Sequence, residues 1–104
     1  MRRLISPTTL VLILASGSIQ AAGDPVSGKN MAQDCTACHG ENGLGDGETP
    51  RIAGLDATYI IAELRAFKSG ERIDDNELMP FFAENLSEQD MADLAAHFST
   101  LDAD

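Results

Sequence analysis

Five consecutive residues, Cys35-Thr36-Ala37-Cys38-His39, constrain this chain more than any other feature of it. They contain both of its cysteines and one of its two histidines. Two thiols three positions apart lie on one side of a helical turn, where each can add to one vinyl group of a haem. His39, the next residue, is then placed to bind the iron. A C-x-x-C-H run of this kind reads as covalent c-type haem attachment. Attachment also solves a problem of size. A domain of about 80 residues buries little apolar surface and needs a disulfide, a metal or a large cofactor to hold it.

Three other chemistries could use the same residues. A thioredoxin-like redox pair requires a βαβ setting, and no strand pattern surrounds the run. A structural zinc ion needs four ligands, and beyond Cys35, Cys38 and His39 only His97 remains, far along the chain on an apolar helix. A Cys35–Cys38 disulfide would leave His39 unexplained.

The chain has 104 residues, and its start reads as a leader. Arg2 and Arg3 precede an apolar stretch densest from Leu10 to Ala15, and Ala21 and Ala22 close it. That layout is a secretory signal peptide cleaved after Ala21 or Ala22. Ser6, Pro7, Thr8 and Thr9 interrupt the run, which falls short of the roughly 20 apolar residues of a retained span. The context of a twin-arginine signal is missing, and no cysteine near the cleavage point could take a lipid. Residues 1–22 are expected to leave by the general secretory route. Residues 23–104, about 82 in all, are expected to form one periplasmic domain without stable membrane insertion.

All seventeen acidic residues follow the leader, against five basic ones, which gives the remaining domain a net charge of −12. Such a surface repels nucleic acid and anionic lipid. It favours a partner with a basic docking patch, through an attraction that salt weakens. Solubility alone, or life in a saline medium, would explain the same charge.

Three helical segments can be read between two long irregular stretches. The first spans about Pro25 to Ala37, with Asp24 as N-cap and Pro25 at the favoured first position. Gly28 inside it costs about 1 kcal/mol against alanine, which suggests close approach by another helix. Residues 40–54 are loop by composition, with five glycines and Pro50. The second helix runs from about Asp56 to Ser69, with Ile60, Leu64 and Phe67 at helical spacing and Gly70 as its stop. Residues 71–86 are again irregular. The third helix starts at Ser87, which forms a capping-box pattern with Asp90. Met91, Leu94, Ala95 and Phe98 then make one apolar face. The domain is expected to be all-α with long loops, and such loops need something to organise them.

In this order the motifs resemble those of bacterial class I c-type cytochromes, especially short monohaem carriers and the halves of tandem dihaem forms. The matching residues are Gly28-Lys29, then Cys35-x-x-Cys38-His39-Gly40 with Gly43-x-Gly45, and Pro50-x-Ile52-Ala53-Gly54. Phe67-Lys68-Ser69-Gly70-Glu71-Arg72 and the stretch from Leu86 to Ala96 complete the match, which covers nearly the whole domain. The resemblance implies three to five short helices wrapped around one covalently bound haem c. It implies thioethers from Cys35 and Cys38, with His39 and Met79 as the iron ligands. Met79 precedes Pro80, forty residues beyond His39; Met31 and Met91 read instead as core. His97 reads as a satisfied or surface histidine, with a bis-histidine centre as its alternative role. Pro50 is expected to accept a hydrogen bond from the His39 ring, and Arg51, Tyr59 and Arg72 are candidates to meet the propionates. Gly28 is expected to pack on Leu94 and Phe98.

The function implied is a periplasmic electron-transfer protein, not an enzyme, working with redox partner proteins as a monomer or weak dimer. Two alternatives remain: a cytochrome subunit of a periplasmic dehydrogenase, for example one oxidising sulfur compounds, or a haem protein that binds a small ligand at an open iron.

Overall fold

The computed structural model describes residues 23–74 and 76–104; the leader read over residues 1–22 lies outside them. Five helices follow in order: α1 (Pro25–Asn30), α2 (Gln33–His39), α3 (Ala57–Ser69), α4 (Leu78–Ala83) and α5 (Glu88–Ser99). No strand occurs among the described residues. The all-α expectation holds, but two elements differ from the pattern read in the sequence.

The first difference is that the helix expected over 25–37 is two helices. Its start is as read, with the Asp24 carboxylate accepting the Val26 N–H and Pro25 in the first turn. At Met31 and Ala32 the spiral tightens. The Met31 N–H is shared between the Ser27 and Gly28 carbonyls, and the Ala32 N–H reaches the Lys29 carbonyl. These are three-residue closures of the kind that end an α-helix. The Cys35 and Thr36 N–H groups then both donate to the Ala32 carbonyl and start α2. The side chain of Ala32 is in the core at 2% exposure, so the break coincides with a packed position.

The second difference is α4, which lies within residues 71–86, a stretch whose composition predicts irregular structure. The Asp74 carboxylate accepts the N–H groups of Leu78 and Met79 at 3.3 and 3.2 Å. Pro80, which has no N–H to leave unpaired, fits the first turn. Met79 therefore stands in a short helix rather than a loop.

Helices α3 and α5 follow their signals. Asp56 caps α3 through the N–H groups of Thr58 and Tyr59, and Gly70 ends it. Ser87 and Asp90 form both bonds of the capping box at the start of α5. The buried faces of these helices meet Ala32 in one cluster of Ile60, Leu64, Met91, Leu94, Ala95 and Phe98. Each large side chain buried there contributes about 1.5–3 kcal/mol.

Helices α1 and α5 cross with their backbones in contact. A Cβ on Gly28 would lie 1.9 Å from the carbonyl oxygen of Asp93 and 3.0 Å from the Cβ of His97. The close approach is the expected one, but it falls on Asp93 and His97. Leu94 and Phe98 face the core instead. Asp93 is buried, and its carboxylate accepts the Asp24 N–H and the Gln89 side-chain amide, both at 2.8 Å. That bond fastens the start of α1 to α5.

Candidate haem-binding site

Helix α2 carries both thiols within one turn and ends on His39. Cys35 is half-buried and packs against the core cluster, whereas Cys38 is exposed. No disulfide joins them. Burial, and then the charge of Asp34, pushes the Cys35 thiol up to about 11. Reactive dithiol pairs carry a depressed thiol pKa, so the environment of Cys35 disfavours a thioredoxin-like role. No group of three or more His, Cys, Asp or Glu is placed to hold a metal ion among the described residues.

His39 is buried, and its Nδ1 lies 2.8 Å from the Pro50 carbonyl oxygen. A carbonyl can only accept, so Nδ1 is the donor, and in the neutral ring the lone pair is then on Nε2. The ring therefore has one nitrogen fixed and the other available to a metal. This is the contact that the family resemblance implied for Pro50.

The glycine-rich loop between α2 and α3 is tightly bonded. The His39 carbonyl accepts the Gly45 N–H at 2.7 Å, and the Gly43 carbonyl accepts both Ile52 and Ala53 N–H groups. The Gly54 N–H donates to the Phe98 carbonyl at 2.9 Å, which ties the far end of the loop to α5.

Met79 is half-buried and, like Cys35, packs against the core cluster. The core therefore touches a candidate thioether position and the candidate thioether ligand. Met91 is fully buried and Met31 packs against the same cluster, as read from the sequence. His97 lies elsewhere. It lines an open cavity of about 430 Å³ with Lys29, Ala32, Gln33, Glu41 and Leu101, and that cavity is lined by none of Cys35, Cys38, His39 or Met79. Partial burial, and then the charge of Lys29, lowers the His97 pKa.

The three propionate candidates differ in their surroundings. The Arg72 guanidinium pairs with Glu63 and sits 4.7 Å over the Phe67 ring. Tyr59 is 51% exposed and Arg51 is also at the surface. The side chains of Arg51 and Tyr59 have no hydrogen-bond or ion-pair partner among the described residues, so they are the freer two.

Two contributors were not read from the sequence. Asp74 starts the helix that carries Met79. Asp46 builds the turn before Pro50, accepting the Thr49 and Glu48 N–H groups at 2.7 and 2.8 Å. Those two bonds hold its carboxyl below the usual carboxylate range. Aspartate two or three residues before a turn's N–H groups is a signal that could have found the second.

These residues fit a haem c. Two unpaired thiols share one helical turn, an imidazole is oriented with Nε2 free, and a soft thioether packs on the same core.

Residues 26–102, well over half of the chain, match the protein family described as cytochrome c. Cytochrome c-554(548) of Halomonas halodenitrificans is 38% identical over 81 residues, covering 76% of this chain and 98% of that protein. The thiosulfate dehydrogenase electron acceptor of Thiomonas intermedia is 36% identical over 104 residues, covering 97% of this chain and 45% of that protein. A solved structure of cytochrome c4 from Acidithiobacillus ferrooxidans superposes with a TM-score of 0.71 at 34% identity, covering 77% of this chain and 51% of that one. The chain thus spans nearly all of the Halomonas protein and about half the length of the other two.

Proposed function

The chain belongs to the cytochrome c family, whose members carry haem c covalently, and on that premise we propose that it is a monohaem electron carrier of the periplasm. Haem c supplies a one-electron iron couple. Cys35 and Cys38 would hold it as thioethers, and His39, with its Nδ1 fixed, would offer Nε2 to the iron. The Pro50 carbonyl fixes the His39 ring and raises its basicity. The Met79 thioether, which packs on the same core as Cys35, would be the second iron ligand. Histidine–methionine ligation would raise the reduction potential, and two protein ligands would leave no position for a substrate. The chain therefore moves electrons and is not itself an enzyme. The observation that carries this reading is the 2.8 Å contact that orients His39.

The leader at residues 1–22 takes the chain to the periplasm, and no helix among the described residues is long and apolar enough to cross a membrane. With a net charge of −12 beyond the leader, the surface suits a basic docking patch on its redox partner and not nucleic acid. The carrier acts as a monomer or weak dimer. Stopped-flow oxidation of the reduced holoprotein by a basic one-electron redox protein tests both points. One electron per haem and a rate that falls as salt rises are expected. Failure to exchange electrons would sink the carrier reading, and a salt-independent rate would sink the basic partner.

Similarity to the Thiomonas electron acceptor favours a second reading with the same chemistry. In it the chain receives electrons as a component of a periplasmic dehydrogenase. Stable co-purification with such an enzyme would distinguish the two.

A further inference from the structure

His39 is gripped at two points by one short loop. Its backbone carbonyl accepts the Gly45 N–H at 2.7 Å, and its ring Nδ1 donates to the Pro50 carbonyl at 2.8 Å. The chain between these two contacts is only residues 45–50. Whatever fixes the shape of that segment fixes where the Pro50 carbonyl points.

Two features fix it. Gly45 has φ +70, and a Cβ there would lie 2.3 Å from the Thr49 carbonyl oxygen and 2.7 Å from the Pro50 carbonyl oxygen. The turn is therefore folded back on Gly45 as closely as a backbone allows. Asp46 closes it from the other side. One carboxylate oxygen accepts both the Thr49 and the Glu48 N–H groups, at 2.7 and 2.8 Å, and the Asp46 N–H donates to the Thr49 carbonyl at 2.8 Å. Two of these three hydrogen bonds fall on Thr49, the residue just before Pro50, and the third holds Glu48 beside it.

We propose that Asp46 is a positioning residue for the haem ligand His39: its carboxylate sets the turn that aims the Pro50 carbonyl at Nδ1, and so sets how strongly the ring donates to iron. The proposal rests on His39 being the proximal ligand. A well-aimed acceptor at Nδ1 makes the imidazole more basic and favours ferric iron. Loosening the turn weakens that bond and raises the reduction potential.

Coulombic attraction to His39 is the smallest influence on the Asp46 carboxylate, behind its two backbone hydrogen bonds, and a neutral variant separates positioning from plain electrostatics. Asparagine keeps an oxygen at the same place and supports the same turn, whereas alanine removes it. In the reduced holoprotein, Asp46→Ala is expected to raise the midpoint potential. It should also speed exchange of the His39 Nδ1 proton roughly five- to tenfold, the worth of one hydrogen bond. Asp46→Asn should match the unmodified protein in both. An Asp46→Ala protein with unchanged potential and unchanged exchange would overturn the proposal. So would an Asp46→Asn protein whose potential shifts as far as that of Asp46→Ala, since charge alone would then be acting. Gly45→Ala should push the potential in the same direction if it folds; Asp46→Ala, a change at an exposed side chain, gives the answer if it does not. A His39→Ala holoprotein that keeps the six-coordinate optical spectrum would show that His39 is not the ligand. That result is distinct from a failure of the turn.

Discussion

Replacing Met79 with alanine is expected to open the sixth position of the iron and to lower the reduction potential. A thioether is a soft ligand that favours ferrous iron, and histidine–methionine pairs sit at the high end for c-type haem. Axial ligands as a class move haem potentials over about 0.8 V, so losing one should cost on the order of 0.1 V. The reduced variant should also bind carbon monoxide on mixing, which the unmodified holoprotein should refuse. Met79 packs against the core as well, so Met79→Leu serves as the control: it keeps the packing and loses the sulfur. A Met79→Ala protein that retained its potential and excluded carbon monoxide would mean that another group fills the site.

The second large effect is on stability and comes from Gly28. Alanine is the better helix former by about 1 kcal/mol, so propensity alone would make Gly28→Ala stabilising. The added Cβ would stand 1.9 Å from the Asp93 carbonyl oxygen. That neighbour is backbone in the middle of α5 and cannot rotate away. Overpacking of this kind costs about 3 kcal/mol, which outweighs the propensity gain and leaves a net loss of about 2 kcal/mol. For a domain of this size the melting temperature should fall by roughly 10 °C. Thermal denaturation of the holoprotein reads it directly. An unchanged or raised melting temperature would show that α1 and α5 do not touch at this point.

The parts of this molecule that were legible in the sequence are those set by neighbouring residues. Asp24 with Pro25, Asp56, and Ser87 with Asp90 are helix starts because a cap and its N–H groups lie within three residues of each other. The cysteine–histidine run is legible for the same reason, since covalent attachment needs its groups in one turn. The break at Met31 and Ala32 was not legible, because it falls where Ala32 packs against residues of α3 and α5 far along the chain. Helix α4 has six residues, too few for a hydrophobic period, and its capping carboxylate, Asp74, stands four positions before the first helical residue. The contact from His39 to Pro50 joins residues eleven apart; it came from the family resemblance, not from spacing. Asp46 acts on His39 only through the folded turn. The ion pair of Arg72 with Glu63 across the end of α3 was likewise invisible until the chain was folded.

Electron carriage as proposed for this chain requires two sulfur links between Cys35, Cys38 and one haem. The intact mass of the denatured protein, expressed where haem c is matured, measures this most directly. The expected mass is that of the polypeptide plus one haem, with no thiol left to alkylate. A bare polypeptide with two alkylatable thiols would contradict it.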